Sequence, residues 1–347
     1  MRNQLVSTSI FAIALAGALS LGAPGADAQK KILRADTGSP GAASHAVIVV
    51  LGKVWQKELG ITIQVNDSQT LTRSAMKLGR GQLEIMPFPT SIYGFLSKGS
   101  RMYKKKLHKE AIAASKNVRS IWGWQAVLFH PVTFDIDGIK TFADLKGKRV
   151  FTGPPSGAAA VTSETMIRAL TGYEANKDYK AIRLPWGGGL QAMMDGKLDV
   201  FMRPDGLGSA MIEQLGLTRK FRLLNAADSS NKEQWGKWLK GLGREPGVIP
   251  AGTYKGQVNN NLNIATGAIT FQIGINKTSI SEEMAYNMTK LTWAKLDEIH
   301  NTASLLRTIN KSKPFVGVNM PLHVGAVRYY REMGIKIPAV LIPPEAK

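Results

Sequence analysis

None of the 347 residues is cysteine. That excludes a disulfide framework, thiolate metal sites and a lipid-modified cysteine anchor together. Acidic residues are also scarce, 25 against 45 Lys and Arg, which leaves a formal net charge of +20. The basic residues are nonetheless spread thinly. The one dense run is "RMYKKKLHK" from Arg101 to Lys109, and no zinc-knuckle, RNP-like or basic-helix pattern accompanies it. The charge is therefore expected to serve solubility and attraction to anionic solutes or headgroups, not nucleic acid. Long apolar runs are few as well. "IFAIALAGALSLGA", residues 10–23, falls short of the ~20 residues that a spanning helix needs. With Arg2 before it and the small-x-small Ala26-Asp27-Ala28 after it, it reads as a secretory signal peptide over residues 1–28, cleaved after Ala28. The remainder is expected to be soluble and exported.

Catalytic patterns are missing too. The five histidines, His45, His108, His130, His300 and His323, include no pair at metal-ligand spacing. Ser156 lies in "PPSGA", which lacks the Gly-x-Ser-x-Gly turn of a hydrolase nucleophile. No paired carboxylates stand out, and the glycines of "PWGGGLQ" come without the Lys-Ser/Thr of a phosphate-binding loop. The expectation is a protein with no enzymatic activity, no cofactor and no metal.

What is present is a repeated α/β grammar. "KILRADTG" reads as a strand and turn, Ala46 to Leu59 as a helix, Ile61 to Asp67 as a strand, "TRSAMKLGRG" as a helix closed by Gly79 and Gly81, and "LEIMPF" as a third strand. The grammar restarts with a strand at Arg149 to Thr152, a helix from about Ala158 to Leu170, the strand "YKAIRLPW", the short helix "GGLQAMMDGK" and the strand "LDVFMRP". Two such units imply two lobes, each a mostly parallel sheet faced by helices. Val118 to His130 and Asn263 to Asn276 are extended apolar stretches suited to crossing between them. The tail reads as helical from Ser281 to about Thr308, with Glu282 and Glu283 favouring its positive end. This is the topology of a hinged clamp.

Two turns at strand ends, Thr37 to Ser44 and Thr152 to Ala159, each open a helix. Open α/β sheets bind ligands at such ends, where unpaired backbone N–H groups and the helix dipole favour an anion. Simple chain reversal would explain either turn alone.

"GVIPAGTYKGQ" (Gly247 to Gln257), "TFADLKGKRVFTGPPSG", "GGLQAMMDGKLDVFM" and "MPLHVGAVRYYREMGIKIP" resemble, in that order of interest, strings of the TAXI-type substrate-binding subunits of tripartite ATP-independent periplasmic (TRAP) transporters. The resemblance covers nearly the whole chain after residue 28. It implies a two-lobed, type II-like periplasmic-binding fold with two hinge crossings: residues 29–123 plus 272–347 form lobe 1 and residues 124–271 form lobe 2. It further implies a periplasmic, monomeric receptor that hands a small organic anion, a carboxylate first of all, to membrane permease subunits driven by an ion gradient. A receptor signalling to a membrane histidine kinase is the alternative.

The ligand site departs from the family pattern. Ser44 and His45 stand where a Tyr pair is typical, Pro87-Phe88-Pro89 replaces a polar run, and Ser156-Gly157 lies in a turn that has lost a hydroxyl. Arg203 follows the "LDVFM" strand where relatives are generally apolar; it suits a carboxylate, or an ion pair with Asp205. Trp124 and Trp186 suit either core packing or the apolar walls of a site. Thr37, Ser39, Thr70 and Ser74 complete the ligand candidates as polar positions at the strand ends of lobe 1. Tyr254 and Gln257 either face the cleft or pin their loop.

Overall fold

The structure is a computed structural model that describes residues 32–346, except the side chains of Asp137 and Ser304. The expected signal peptide lies outside the described residues.

In the first α/β unit, β1 (Ile32–Asp36) buries Leu33 and Ala35 by strand alternation. Helix α1 (Ala43–Leu59) follows, burying Val47, Leu51, Val54 and Trp55 along one stripe. It stops at Gly60, whose φ of 67° lets its N–H reach the Gln56 carbonyl. Then come β2 (Thr62–Asn66), α2 (Leu71–Gly79), β3 (Ile85–Pro89), α3 (Thr90–Ser97) and α4 (His108–Ser115). Strand β1 lies between β2 and β3, parallel to both. Pro87 and Pro89 are tolerated in β3 because its one pair with β1 is Ala35 with Ile85, before either proline.

The long strand β4 (Val118–Phe134) carries the chain to the second unit and is buried along almost its whole length. There β5 (Arg149–Phe151), α5 (Ala158–Thr171), β6 (Lys180–Ile182), α6 (Trp186–Met194) and β7 (Val200–Asp205) repeat the parallel pattern. After α7 (Ala210–Thr218), β8 (Phe221–Leu223), α8 (Lys232–Leu239) and β9 (Arg244–Ile249), strand β10 (Ile264–Asn276) returns. Helices α9 (Glu282–Ala294), α10 (Leu296–Thr302) and α11 (Val324–Glu332) then pack beside the first unit. The Trp55 indole of α1 donates to the Met288 carbonyl of α9 at 3.3 Å.

One curled sheet of ten strands results, in the order β2-β1-β3-β10-β4-β7-β5-β6, with β8 on β4 and β9 on β10. The fold is α/β with two lobes, matching the sequence expectation. The antiparallel pair β4 and β10 joins them: β10 pairs with β3 over Phe271–Ile275 and with β9 over Ile264–Ile269, while β4 pairs with β7 over Leu128–Val132. The β4–β10 register slips between Ile269 and Thr270 and between Gln272 and Gly274. The ladder breaks where its neighbours change, a place for bending.

Each lobe has its own aromatic packing. Trp122 meets Trp293 at 5.6 Å in the first, and Phe151 stacks on Phe201 at 4.9 Å in the second. Between the lobes, the Thr72 hydroxyl donates to the Ser156 carbonyl at 3.1 Å, and Leu242 sits against Gly94 of α3.

Candidate functional site

Five helices begin at one cavity between the lobes. Its lining includes Ala42, Thr70, Pro89 and Gly157, the residues just before α1, α2, α3 and α5, and Trp186, the first residue of α6. None of the five helices has a side-chain cap or an acid in its first turn. The local sequences account for this: Ala42, Pro89, Gly157 and Pro185 carry no side-chain acceptor to cap with. Uncapped N–H groups and the positive dipole ends therefore stay available to an anion.

Arg203 supplies the charge. It sits in β7 opposite His130 of β4, and its side chain is 2 % exposed. The guanidinium carbon lies over the Trp186 ring, 4.5 Å from its centre. Its Nε donates to Asp205 Oδ2 at 3.3 Å. Asp205 is fixed in turn by the Ser209 hydroxyl at 2.8 Å and the Gly206 N–H at 2.9 Å. Arg203 Nη1 is buried and has no partner among the described residues. A buried donor without a protein partner calls for another acceptor, an ordered water or a ligand atom.

The rest of the lining is mostly apolar, with Leu71, Ile92, Val127, Phe129, Ile269 and Phe271 as its larger members. Ser39, Ser44, Thr70 and Ser91 contribute hydroxyls that bond no other described residue. The space open to the centres of water-sized molecules is ≈ 110 Å³, where a single water needs only about 10–15 Å³. The cavity has room for a small molecule.

Of the eleven ligand candidates read from sequence, six line this cavity: Ser39, Ser44, Thr70, Gly157, Trp186 and Arg203. The other five stand elsewhere. Thr37 is buried against the His45 ring, 3.0 Å away, and donates to the Gly38 carbonyl. Ser74 donates to buried Asp36, which also takes Lys77 and Asn66. Phe88 packs in the first lobe against Tyr93 and Gly274. Trp124 lies behind Phe271, ring centres 5.7 Å apart, and not in the lining. Ser156 is exposed, and its carbonyl makes the contact with Thr72. Sequence reasoning missed Gln69, Ser91 and Thr162 and the apolar wall of Val127, Phe129, Ile269 and Phe271. For the wall no sequence signal was available, because β4 is buried along almost its whole length.

The ion pair anticipated between Arg203 and Asp205 is present, together with the free Nη1. Tyr254 and Gln257 pin their loop. The Tyr254 hydroxyl meets His130 Nε2 at 2.7 Å and accepts from the Ser209 N–H at 3.3 Å, so the loop braces the residue that fixes Asp205. Gln257 bridges to Phe221. The stretch Gly247 to Ile249 is the end of β9.

Burial pushes the His130 imidazole down to about 4, against the opposing pull of the nearby Asp205 carboxylate. Burial lowers His323 likewise. An unfolded histidine titrates near 6.5. Between about pH 6.5 and pH 4 the unfolded chain thus holds a proton that folded His130 refuses, and stability falls as the pH drops through that window. Urea denaturation is expected to show a loss of about 2 kcal/mol from about pH 7 to pH 5 through His130. An unchanged denaturation midpoint would contradict the buried neutral imidazole.

Fold and site together define a two-lobed α/β binding-protein fold with a cavity at its crossing strands. The chain belongs to the NMT1-like family, whose model matches residues 36–334. Among solved structures it is similar to the periplasmic aliphatic sulphonate binding protein of Escherichia coli, at 13% identity, 90% coverage of each chain and a TM-score of 0.43. It is also similar to a TRAP periplasmic solute binding protein of Ralstonia eutropha with bound (S)-2-acetolactate, at 11% identity, 91% of this chain, 88% of that one and TM-score 0.47. A third is a TRAP periplasmic solute binding protein of Roseobacter denitrificans with bound L-galactonate, at 12% identity, coverage of 83% and 88%, and TM-score 0.47. Among the described residues no helix is long and apolar enough to cross a membrane, and no cluster of metal-ligating side chains occurs.

Proposed function

We propose that this chain is an exported, periplasmic receptor that captures a small organic anion, a carboxylate, between its lobes and delivers it to the ion-gradient-driven permease of a TRAP transporter of the TAXI type. The observation that carries the reading is the buried, unpartnered Nη1 of Arg203 in a cavity where five uncapped helices begin. A guanidinium N–H and backbone N–H groups are together the usual means of holding a carboxylate. The transporter assignment rests on the sequence resemblance.

In this reading residues 29–123 and 272–347 form one jaw and residues 124–271 the other, turning at the register slips of β4 and β10. Ser39, Ser44 and Thr70 reach the ligand from the first jaw, and Gly157, Trp186 and Arg203 from the second. Ligand favours the shut state because both jaws touch it only there. The Thr72–Ser156 hydrogen bond adds a protein contact to that state.

The test is a thermal-shift screen of organic acids on the purified chain. A ligand that binds only the folded form adds about 2.7 kcal/mol at a hundred times its dissociation constant, so the cognate acid is expected to raise Tm by several degrees. A broad set of acids with no effect at millimolar concentration would refute the anion-receptor reading. Loss of cellular uptake of the cognate acid on deleting the gene tests delivery, and unaltered uptake would point to sensing instead.

A further inference from the structure

We infer that the cavity selects a carboxylate of single charge with an apolar body, and rejects dicarboxylates and amino acids of the same size. The inference rests on the organic-anion reading above and narrows it. Among the described residues Arg203 is the one charged side chain in the lining, and its Nε is already engaged by Asp205, so its free Nη1 has room for one carboxylate. Among the described residues no lysine or second arginine lines the cavity to meet another. The wall of Ile92, Val127, Phe129, Ile269 and Phe271 gives the ligand's body apolar contact, and the helix starts, whose positive ends carry only partial charge, replace a full cation poorly for a second ionised carboxylate.

An α-ammonium group fares no better. Among the described residues no Asp or Glu lines the cavity to receive it, and the five helix starts turn their positive ends towards it. Neutral oxygens are a different matter. The hydroxyls of Ser39, Ser44, Thr70 and Ser91 can each donate to or accept from a hydroxy or oxo group. The chemistry that fits is a branched or aromatic monocarboxylate, with or without a neutral oxygen on its body.

Titration calorimetry on the intact chain, with one carbon skeleton varied, tests this. The series is 4-methylpentanoate, its 2-oxo derivative, leucine (the same acid with an ammonium), 2-methylglutarate (one methyl replaced by a carboxylate) and 4-methylpentanamide, with benzoate as an aromatic member. The monocarboxylates are expected to bind at least ten-fold more tightly than leucine, 2-methylglutarate or the amide. Leucine or 2-methylglutarate binding as well as the monocarboxylates, or a dicarboxylate or amino acid emerging as the sole binder from the wider screen, overturns the selectivity while the anion reading stands. The amide matching its acid, or no acid of any class binding, overturns both.

Discussion

Replacing Arg203 by alanine is expected to weaken carboxylate binding by roughly 1.5–3 kcal/mol, the worth of a hydrogen bond to a charged group, or about ten- to hundred-fold in dissociation constant. The same change strands Asp205, 1 % exposed, without its cation. Breaking a buried pair from one side costs about 3–5 kcal/mol of stability. The Ser209 hydroxyl and Gly206 N–H remain as partners and place the expected loss towards the lower end. The double variant Arg203→Met with Asp205→Asn removes both charges and is expected to recover most of that stability, but none of the ligand affinity. Calorimetry and urea denaturation on the pair of variants separate the two roles. Affinity unchanged in the single variant would remove Arg203 from the site, and affinity restored in the double variant would show that it acts only through stability.

The second large effect lies outside the cavity lining. A Cβ on Gly325 would stand 2.1 Å from the Glu282 carbonyl oxygen and 2.6 Å from the Tyr286 nitrogen, both backbone atoms of the segment that starts α9. No side-chain rotation relieves such a clash, so Gly325→Val must push α11 away from α9. Tyr330 on α11 ties this pair to the crossing strand, accepting from the Trp293 indole at 3.2 Å and donating to the Ile121 carbonyl at 2.9 Å. The expected loss is at least about 3 kcal/mol. Gly236→Ala, in α8 with open space around its Cβ position, is the control. It is expected to be neutral or to stabilise by up to about 1 kcal/mol through helix propensity. Urea denaturation of both variants checks the contrast; equal effects would contradict the close approach of α9 and α11.

The α/β order was legible because half-buried helices and the turns between them leave strong periodic marks. The stripe of Val47, Leu51, Val54 and Trp55 is such a mark. Both crossing strands were legible as long apolar runs. Which way their side chains point was not. β4 is buried on both faces, so it carries no alternation of polar and apolar residues to separate Trp124 from Val127 and Phe129. Phe88 and Pro89 pose the same problem in β3, buried throughout. Strand β9 was unread because its end runs into the Pro- and Gly-containing string that starts at Gly247, and it pairs with β10 alone at an edge, where proline is tolerated. The expected tail helix from Ser281 to about Thr308 is divided into α9, α10 and a short 3-10 turn at Ser304–Leu306. Thr37 and Ser74 were plausible by position, but His45 and Asp36 engage them, and such local partners emerge only in three dimensions.

The sheet order also bears on how a newly made chain protects itself. Strand β3 needs β10 as its second neighbour, so a polypeptide emerging from its N-terminus leaves residues 85–89 with an open flank until residues 264–276 have been synthesised. An unpaired flank invites adhesion to other nascent chains. Pro87 and Pro89 both lie within the span that pairs with β10, so that flank stays receptive to other strands until its proper neighbour arrives.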